Sequence, residues 1–390
     1  MNPGFLNLKK SYLFIEIGKR VREYIAAHPD NKIIKMGIGD VTQPLAPVVV
    51  EAMKKAADEM GVKETFRGYE DSGKGYDFLR EAVAGYYKSF GVTVSPEEVL
   101  ISDGAKSDCG NIGDIFSENE DVVVTDPAYP VYVDSNVMGG RTVHYVNSTE
   151  DNGFAAMPDE SMKPGLIYLC SPNNPTGSVY SKEELAGLAA VLAKYPQVVV
   201  IADEIYEHIN YIGAHQSIAQ FPEMKERTVI VNGVSKAYAM TGWRIGFIVK
   251  ACNKLQGQYT SGPCSVSQKA AEAAYVGTQE PVKEMQKAFE RRRDLIVKLA
   301  KEVPGFEVNV PQGAFYLFPK CSYFFGKSNG ERKIENSDDL AMYLLEDAHV
   351  ACVGGTSFGA PECIRMSYAT SDENIVEAIR RIKEALAKLK

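Results

Sequence analysis

The stretch Val198-Val-Val-Ile-Ala-Asp-Glu-Ile-Tyr206 joins an unbroken apolar run to a group of polar side chains. A short apolar run of this kind is typical of a strand that is buried on both faces of a parallel sheet. Asp203 and Tyr206 then lie at the carboxyl end of that strand. Because open α/β sheets bind their ligands at this end, the stretch predicts both an α/β fold and the place of its functional site.

A second apolar run, Thr228-Val-Ile-Val231, leads to Lys236 in the segment Ser235-Lys-Ala-Tyr-Ala-Met-Thr-Gly-Trp-Arg244. Most lysines are solvated surface charges, so a Ser-Lys pair alone is weak evidence of function. Here the pair follows a predicted strand, and Arg244 comes eight positions after the lysine. This context indicates that the amine of Lys236 takes part in chemistry.

Strand and helix patterns alternate along most of the chain, which is the signature of an α/β protein. We predict strands at 32–36, 99–102, 121–124, 166–169 and 198–202, and helices at 11–27, 47–61 and 75–90. In the last third we predict a helix at 281–301, strands at 306–310 and 314–318, and a final helix from residue 372. These elements predict a mostly parallel central sheet in a large domain at 45–280 and a smaller α+β domain at 281–390. Residues 1–44 would form an N-terminal arm that completes the small domain.

The composition indicates an acidic globular protein of 390 residues, with 45% hydrophobic residues and a net charge of −8. This charge disfavours nucleic-acid binding and favours a small-molecule enzyme. The seven cysteines occur singly, without CxxC spacing or a disulfide framework, so we expect reduced thiols and no metal site. No run of about 18 apolar residues occurs, so we expect no membrane span and a cytoplasmic location.

Polar groups also follow the other predicted strands. Asn174 lies between two prolines after the strand at 166–169, and the turn 102–107 opens a helix whose free N–H groups could hold a phosphate. Ser235 and Arg244 are further phosphate donors. Pyridoxal 5′-phosphate needs such donors, a lysine to form an imine, and an acid to keep its pyridine nitrogen protonated. Lys236 is the candidate for the imine and Asp203 for the acid. The cofactor also needs donors to its phenolic oxygen, for which Tyr206 is a candidate.

Four motifs together resemble the fold-type I, class I and II aminotransferases, and the resemblance covers essentially the whole chain. The motifs are Asn174-Pro-Thr-Gly177, Asp203-Glu-Ile-Tyr206, Ser235-Lys236 with Arg244, and Ile364-Arg-Met-Ser-Tyr368. The resemblance implies that Lys236 carries the cofactor and then moves a proton between the substrate Cα and the cofactor C4′. It also implies that Asp203 pairs with the pyridinium nitrogen, that Tyr206 and Asn174 bind the 3′ oxygen, and that Arg365 binds the substrate α-carboxylate.

The same resemblance implies further cofactor contacts. Tyr129 would stack on the cofactor ring, and a packed core tyrosine is the less favoured alternative. Tyr69 would reach the phosphate in the neighbouring subunit, which makes the expected enzyme a homodimer with shared active sites. Within one subunit, the phosphate would meet Gly104, Ala105, Lys106, Ser235 and Arg244.

Two groups of aminotransferases compete as the nearest resemblance, and they differ in substrate. The first third resembles LL-diaminopimelate aminotransferase, in Gly37-Ile-Gly-Asp-Val-Thr-Gln-Pro44 and Lys63-Glu-Thr-Phe-Arg-Gly-Tyr69. The second half resembles prokaryotic aspartate aminotransferases, and Ser261 stands where the diaminopimelate family has a substrate-binding asparagine.

The cation of Lys106 suits a distal carboxylate, so a dicarboxylic amino acid with a partner such as 2-oxoglutarate is the expected substrate pair. Tyr12 and the Gly39 backbone are candidates to bind an ammonium group, as diaminopimelate would require. Packing of the N-terminal arm would explain Tyr12 equally well.

Other activities remain open at this stage. A pyridoxal-phosphate C–S β-lyase uses the same fold and the same lysine, aspartate, tyrosine and arginine. A regulator that only binds the cofactor would need a DNA-binding segment ahead of the enzyme-like arm, and the chain starts directly with that arm.

Overall fold

The computed structural model describes residues 2–8, 13–41, 43–147, 164–250 and 253–390. The strands within these residues are β1 (Ile34–Lys35), β2 (Val99–Ser102), β3 (Asp121–Asp126), β4 (Val143–Asn147), β5 (Pro164–Cys170), β6 (Val199–Asp203), β7 (Thr228–Gly233), β8 (Gly246–Val249), β9 (Tyr316–Leu317), β10 (Val350–Ala351), β11 (Val353–Gly354) and β12 (Ile364–Ser367). The predicted strand at 99–102 is confirmed at both ends.

The α-helices of the described residues are α1 (Pro3–Leu6), α2 (Leu13–Ala27), α3 (Pro47–Met60), α4 (Asp77–Ser89), α5 (Ala105–Asn111), α6 (Pro130–Met138), α7 (Lys182–Leu192), α8 (Pro222–Lys225), α9 (Asn253–Tyr259), α10 (Ser265–Val276), α11 (Glu280–Lys301), α12 (Ser337–Asp347) and α13 (Asp372–Leu386). Single 3₁₀ turns occur at Pro96–Glu98, Ile112–Ile115, Ile218–Gln220, Thr241–Trp243, Ser322–Phe324 and Gly355–Phe358. The predicted helices at 47–61, 75–90 and 281–301 are confirmed within two residues at each end.

A seven-stranded sheet forms the centre of the fold, in the order β2-β8-β7-β6-β5-β3-β4. All neighbouring pairs from β7 to β4 are parallel, and only β8 runs antiparallel to its neighbours β2 and β7. The predicted mostly parallel sheet is therefore confirmed. The carboxyl ends of β5, β6 and β7 lie side by side, which brings the segments that follow them to one edge of the sheet.

Helices cover both faces of this sheet, and β6 shows how its side chains divide between them. Ile201 packs in the core that includes α5, α6 and the C-terminal third of the chain. Its neighbours Val200 and Ala202 pack on the other face, against Leu185 and Leu188 of α7. Because side chains alternate along a strand, Asp203 lies on the same face as Ile201, and the next residue, Glu204, lies on the same face as Ala202.

Smaller sheets lie in the C-terminal third. Strands β11, β12 and β9 form an antiparallel sheet, and β1 pairs in parallel with β10. The β1–β10 pairing supports our proposal that residues 1–44 and 281–390 together form a small domain, beside a large domain at 45–280.

The predicted strand at 306–310 is wrong. Only a single bridge forms there, between Glu307 and Lys320. Phe306 and Val308 pack against the core, but Val310 is half exposed and the Asn309 amide donates to the Thr176 carbonyl oxygen. The apolar alternation of this segment therefore reflects side-chain packing without the ladder of backbone hydrogen bonds that makes a strand.

Candidate active site

A cavity of about 700 Å³ opens at the carboxyl ends of β5, β6 and β7. We call it the main cavity. Asn174 follows β5, Asp203 ends β6, and Lys236 follows β7, so the topology of the sheet brings three separate sequence motifs together. The predicted site residues that line it are Gly39, Ala105, Lys106, Tyr129, Asn174, Asp203, Tyr206, Ser235, Lys236, Arg244 and Arg365.

Lys236 projects its amine into the main cavity. The amine donates a hydrogen bond to the Gly39 carbonyl oxygen at 2.5 Å. Burial lowers the pKa of Lys236 to about 8, and the negative charge of Asp40 opposes this shift only in part. A larger fraction of the amine is therefore neutral near pH 7 than for a solvated lysine, and a neutral amine is a nucleophile and a base.

Asp203 is a buried carboxylate held by several donors. The Tyr132 hydroxyl donates to its Oδ2 at 2.6 Å, and the Ile205 backbone N–H donates to its Oδ1 at 3.2 Å. Burial raises the pKa of Asp203 in spite of these donors. Among the described residues, no Lys, Arg or His forms an ion pair with Asp203, so a cationic ligand group is the partner that would stabilise its charge.

Arg365 lies on the floor of the main cavity, with only 1% of its surface exposed. Its Nη1 donates to Asn174 Oδ1 at 2.8 Å and its Nη2 donates to the Gly37 carbonyl oxygen at 2.9 Å. Its guanidinium also lies 4.4 Å from the ring centre of Tyr316. These contacts fix the plane of a guanidinium, which is the group that best binds a carboxylate bidentately.

The turn before α5 meets Arg244 at one corner of the main cavity. A Cβ placed on Gly104 would lie only 2.3 Å from Arg244 Nη2, so the guanidinium can approach this turn only because residue 104 is glycine. Gly104 has φ +130°, a conformation that favours glycine. The Ala105 N–H, the Ser235 hydroxyl and the Arg244 guanidinium are together the kind of donors that bind a phosphate.

Four predicted site residues are not among those that line the main cavity. Tyr69 and Ser261 line a second cavity of about 490 Å³, and the Tyr69 side chain is 85% exposed. Within one chain, Tyr69 therefore does not line the main cavity. Its exposure leaves it accessible to another subunit, as we predict. Gly104 borders the site through Arg244 rather than lining it. Tyr12 lies outside the described residues.

Two tyrosines of the site were missed by the sequence analysis. Tyr132 donates to Asp203, and it lies three residues after Tyr129 in the same short motif, a helical spacing that could have revealed it. The Tyr316 hydroxyl lies 2.9 Å from the Tyr206 hydroxyl, although the two residues are 110 positions apart. No local pattern could have revealed that contact.

The other face of the same sheet edge carries a group that we call the far-face cluster: Glu204, Glu207, His208 and His215. His215 Nε2 lies 3.3 Å from Glu204 Oε2, and His208 Nε2 lies 3.6 Å from Glu207 Oε1. Ligand atoms of Glu204, Glu207 and His215 all lie within 4.8 Å of one another, a spacing that could hold a metal ion. Burial lowers the pKa of His215, but the charge and hydrogen bond of Glu204, together with the charge of Glu207, outweigh this and raise the pKa. A raised pKa favours a protonated imidazole in an ion pair over a neutral metal ligand.

Within the described ranges, no helix combines the length and the apolar character needed to cross a bilayer. The family model "Aminotransferase class I and II" matches residues 31–382. The chain is 42% identical over 331 residues to a bifunctional aspartate aminotransferase and glutamate/aspartate-prephenate aminotransferase of Petunia hybrida, covering 80% of this chain and 69% of that protein.

Two further similarities extend over nearly the full length. The chain is 37% identical to an LL-diaminopimelate aminotransferase of Agathobacter rectalis, over 98% of this chain and 99% of that protein. The crystal structure of the aspartate aminotransferase from Rhizobium meliloti superposes with a TM-score of 0.90 and 32% identity, over 100% of this chain and 99% of that one. These similarities agree with a sequence intermediate between the two kinds of enzyme, and the chain belongs to the class I and II aminotransferases.

Proposed function

We propose that the protein is a pyridoxal-phosphate-dependent aminotransferase that exchanges the amino group of an acidic L-amino acid with a 2-oxo acid. Aspartate and glutamate, with 2-oxoglutarate as acceptor, are the substrates of this proposal. The observation that carries it is the amine of Lys236, with a pKa lowered to about 8, in one cavity with the buried carboxylate of Asp203 and the fixed guanidinium of Arg365.

The residues of the main cavity fit the proposed cofactor group by group. The corner of Gly104, Ala105, Ser235 and Arg244 suits its phosphate, because a side chain at residue 104 would fill the space that Arg244 occupies. Asp203, which has a raised pKa and no cationic partner among the described residues, suits a protonated pyridine nitrogen. When bound, pyridoxal phosphate supplies a conjugated ring that withdraws electrons from the substrate Cα.

The protein's own groups would then control the proton and the orientation of the substrate. Lys236 would accept the Cα proton and deliver it to the C4′ carbon, as a base whose pKa lies near the working pH. Arg365 would bind the α-carboxylate and, with Asn174 beside it, fix which Cα bond stands perpendicular to the ring. Tyr206, hydrogen-bonded to Tyr316, would donate to the 3′ oxygen.

The preference for acidic substrates rests on the cations that line the main cavity, Lys106 among them. LL-Diaminopimelate is the second candidate substrate, because the relative from Agathobacter rectalis matches nearly the whole chain at 37% identity. Its distal end would require acceptors for an ammonium group. The carbonyl oxygen of Gly39, which already accepts from the Lys236 amine, is one such acceptor in the cavity.

We further propose a homodimer in which Tyr69 of each subunit reaches the phosphate in the other. Tyr69 is exposed and lines the second cavity together with Ser261 and Gly262, away from Lys236 of its own chain. An exposed aromatic side chain beside a concave surface is typical of a subunit interface.

Single-turnover spectroscopy of the cofactor-loaded enzyme tests the proposal. The enzyme is mixed separately with L-aspartate, L-glutamate and LL-diaminopimelate, and conversion of the cofactor to its pyridoxamine form is followed. Fast conversion by aspartate and glutamate supports the proposal, whereas fast conversion by diaminopimelate and glutamate with a poor aspartate response supports the second candidate. Conversion by none of them contradicts the acidic-substrate proposal, and release of pyruvate from cystathionine without an acceptor would indicate a C–S lyase.

A further inference from the structure

The main cavity carries more positive charge than the proposed reaction needs. Among the described residues, six cationic side chains line it and only two acidic ones, Asp40 and Asp203. The proposed function uses Lys236 for the chemistry, Arg244 for the phosphate, Arg365 for the α-carboxylate, and Lys106 near the substrate. The two cations without a role are Arg22 and Lys35.

We propose that Arg22 and Lys35 form a specificity subsite at the mouth of the main cavity, which binds the distal carboxylate of an acidic substrate. This inference rests on the proposed function. It adds two residues of the N-terminal segment to the groups that select the substrate.

Local structure places both side chains at the cavity. Arg22 lies on α2, and its Nη1 would be 3.2 Å from a Cβ built on Gly18, which lines the same cavity one turn earlier. The guanidinium thus lies back along the helix over a residue that has no side chain to block it. Lys35 lies on β1, where it pairs with Ala351 of β10, another residue of the cavity wall.

The chain that follows β1 leads from Lys35 to the hydrogen-bond partner of Arg365. Two residues after Lys35, the Gly37 carbonyl oxygen accepts the hydrogen bond from Arg365 Nη2. A chain spans at most about 3.6 Å per residue, so the α-carbons of residues 35 and 37 are separated by at most about 7 Å. Arg365 is buried whereas Arg22 and Lys35 are exposed, so the same cavity has cations at both a buried and an exposed part of its wall.

Arg22 and Lys35 have no carboxylate partner among the described residues. By contrast, the exposed Arg380 of the last helix pairs with Glu377 and Glu384. An anion that enters the mouth therefore does not have to displace a protein carboxylate. Because both side chains are exposed, their attraction for an anion is screened by salt.

The test compares a dicarboxylate with its neutral counterpart on the same protein. Equilibrium binding of succinate and of succinamate, which lacks one charge, is measured by calorimetry for the wild type and for Arg22→Gln/Lys35→Gln. The wild type is expected to prefer succinate about 10-fold, and the double variant is expected to lose most of this preference, with the remainder due to Lys106. The wild-type preference is expected to fall as salt rises, and that of the double variant to change less.

Matched controls lie close by in sequence. Arg20 is on the same helix but lines a different pocket, and Lys32 precedes β1. Arg20→Gln and Lys32→Gln are expected to keep the wild-type preference. In kinetic assays, the double variant is expected to lose about 10-fold in kcat/KM with glutamate, mainly through KM, and to change less than twofold with glutamine.

The inference is overturned if the double variant keeps the succinate preference, or if the two controls lose it equally. Its failure is separable from failure of the proposed function. A protein that transaminates glutamate but shows no charge preference dependent on Arg22 and Lys35 refutes the subsite alone. A protein that shows this preference but converts no amino acid refutes the proposed function alone.

Discussion

The segment from Asp203 to Glu207 has buried ionisable side chains on two faces of the sheet edge, one toward the main cavity and one toward the far-face cluster. The two faces differ in whether the protein itself supplies a counter-ion. On the cavity face, Asp203 accepts hydrogen bonds from Tyr132 and the Ile205 N–H and has no cationic partner among the described residues. On the far face, Glu204 lies 3.3 Å from the imidazole of His215, whose pKa is raised. The far face thus neutralises its own charge, whereas the cavity face presents a carboxylate to a ligand.

We take this difference to separate a structural carboxylate, Glu204, from a functional one, Asp203, although both are buried and adjacent in sequence. A buried charge that the protein pairs internally needs no ligand to compensate it, and removing one partner of such a pair is destabilising because the other charge is left unpaired. A buried charge that is held by neutral donors but lacks a counter-ion is costly, and sites with this property cluster where a ligand supplies the missing charge. We therefore assign chemistry to Asp203 and support of the strand end to Glu204.

The largest expected effect on activity comes from removing the negative charge of Asp203, and the same change at Glu204 is the comparison. Asp203→Asn keeps the shape but removes the charge offered to the pyridine nitrogen, and it is expected to lower kcat about 10³-fold. Glu204→Gln is expected to keep kcat within about threefold while lowering the free energy of unfolding, because it leaves His215 without its counter-ion. Steady-state kinetics and urea unfolding of both variants would measure this. Equal losses of activity in both variants would erase the distinction between the faces.

A second test concerns the cavity side alone. Arg365→Lys keeps the positive charge but loses the planar pair of donors, so kcat/KM for amino acids is expected to fall about 100-fold, or about 2.7 kcal/mol. Arg292→Lys is the matched control, because Arg292 is also buried but pairs with Asp372 on the C-terminal helix. The control is expected to keep kcat/KM. An unchanged kcat/KM in Arg365→Lys would mean that the substrate carboxylate binds elsewhere.

The smallest expected effect is on stability and concerns the far face. Burial raises the pKa of Glu207 to about 7 from an ordinary value near 4.5. The folded state therefore binds this proton more tightly than the unfolded state, and the resulting stability is present below pH 4.5 and lost as the pH rises through 7. Relative to Glu207→Gln, the wild type is expected to lose on the order of 2 to 3 kcal/mol between pH 5 and pH 8.

Urea unfolding at four pH values across that range would measure this loss. Glu223→Gln, at an exposed position of α8, is the control and is expected to differ from the wild type by a constant amount. A constant difference for Glu207→Gln as well would show that Glu207 is ionised in the folded protein throughout.

The sequence predicted the part of the site that follows from local pattern. Strand ends are readable from apolar runs, so Asn174, Asp203 and Lys236 could be placed at one sheet edge before the structure was known. Contacts between distant segments could not be predicted from local pattern. The hydrogen bond between Tyr316 and Tyr206, and the one from Arg365 to the Gly37 carbonyl oxygen, depend on the tertiary fold.

The far face was missed for a related reason. Glu204 and Glu207 surround the functional Tyr206 in sequence, and their partner His215 lies in a loop without regular period. The wrong strand at 306–310 shows the converse limit, since alternation of apolar residues reports burial and not the hydrogen bonds of a ladder. Resemblance to a family supplied the roles of Arg365 and Tyr69, which no local pattern indicates.

The most direct test of the central claim is to find where the cofactor is attached. The enzyme loaded with pyridoxal phosphate is treated with borohydride, which reduces a carbon–nitrogen double bond to a stable single bond, and its peptides are analysed by mass spectrometry. The account predicts one modified residue, Lys236, and no stable modification in Lys236→Ala. Attachment at another lysine of the cavity, such as Lys106 or Lys35, would contradict it, as would the absence of any attachment in the wild type.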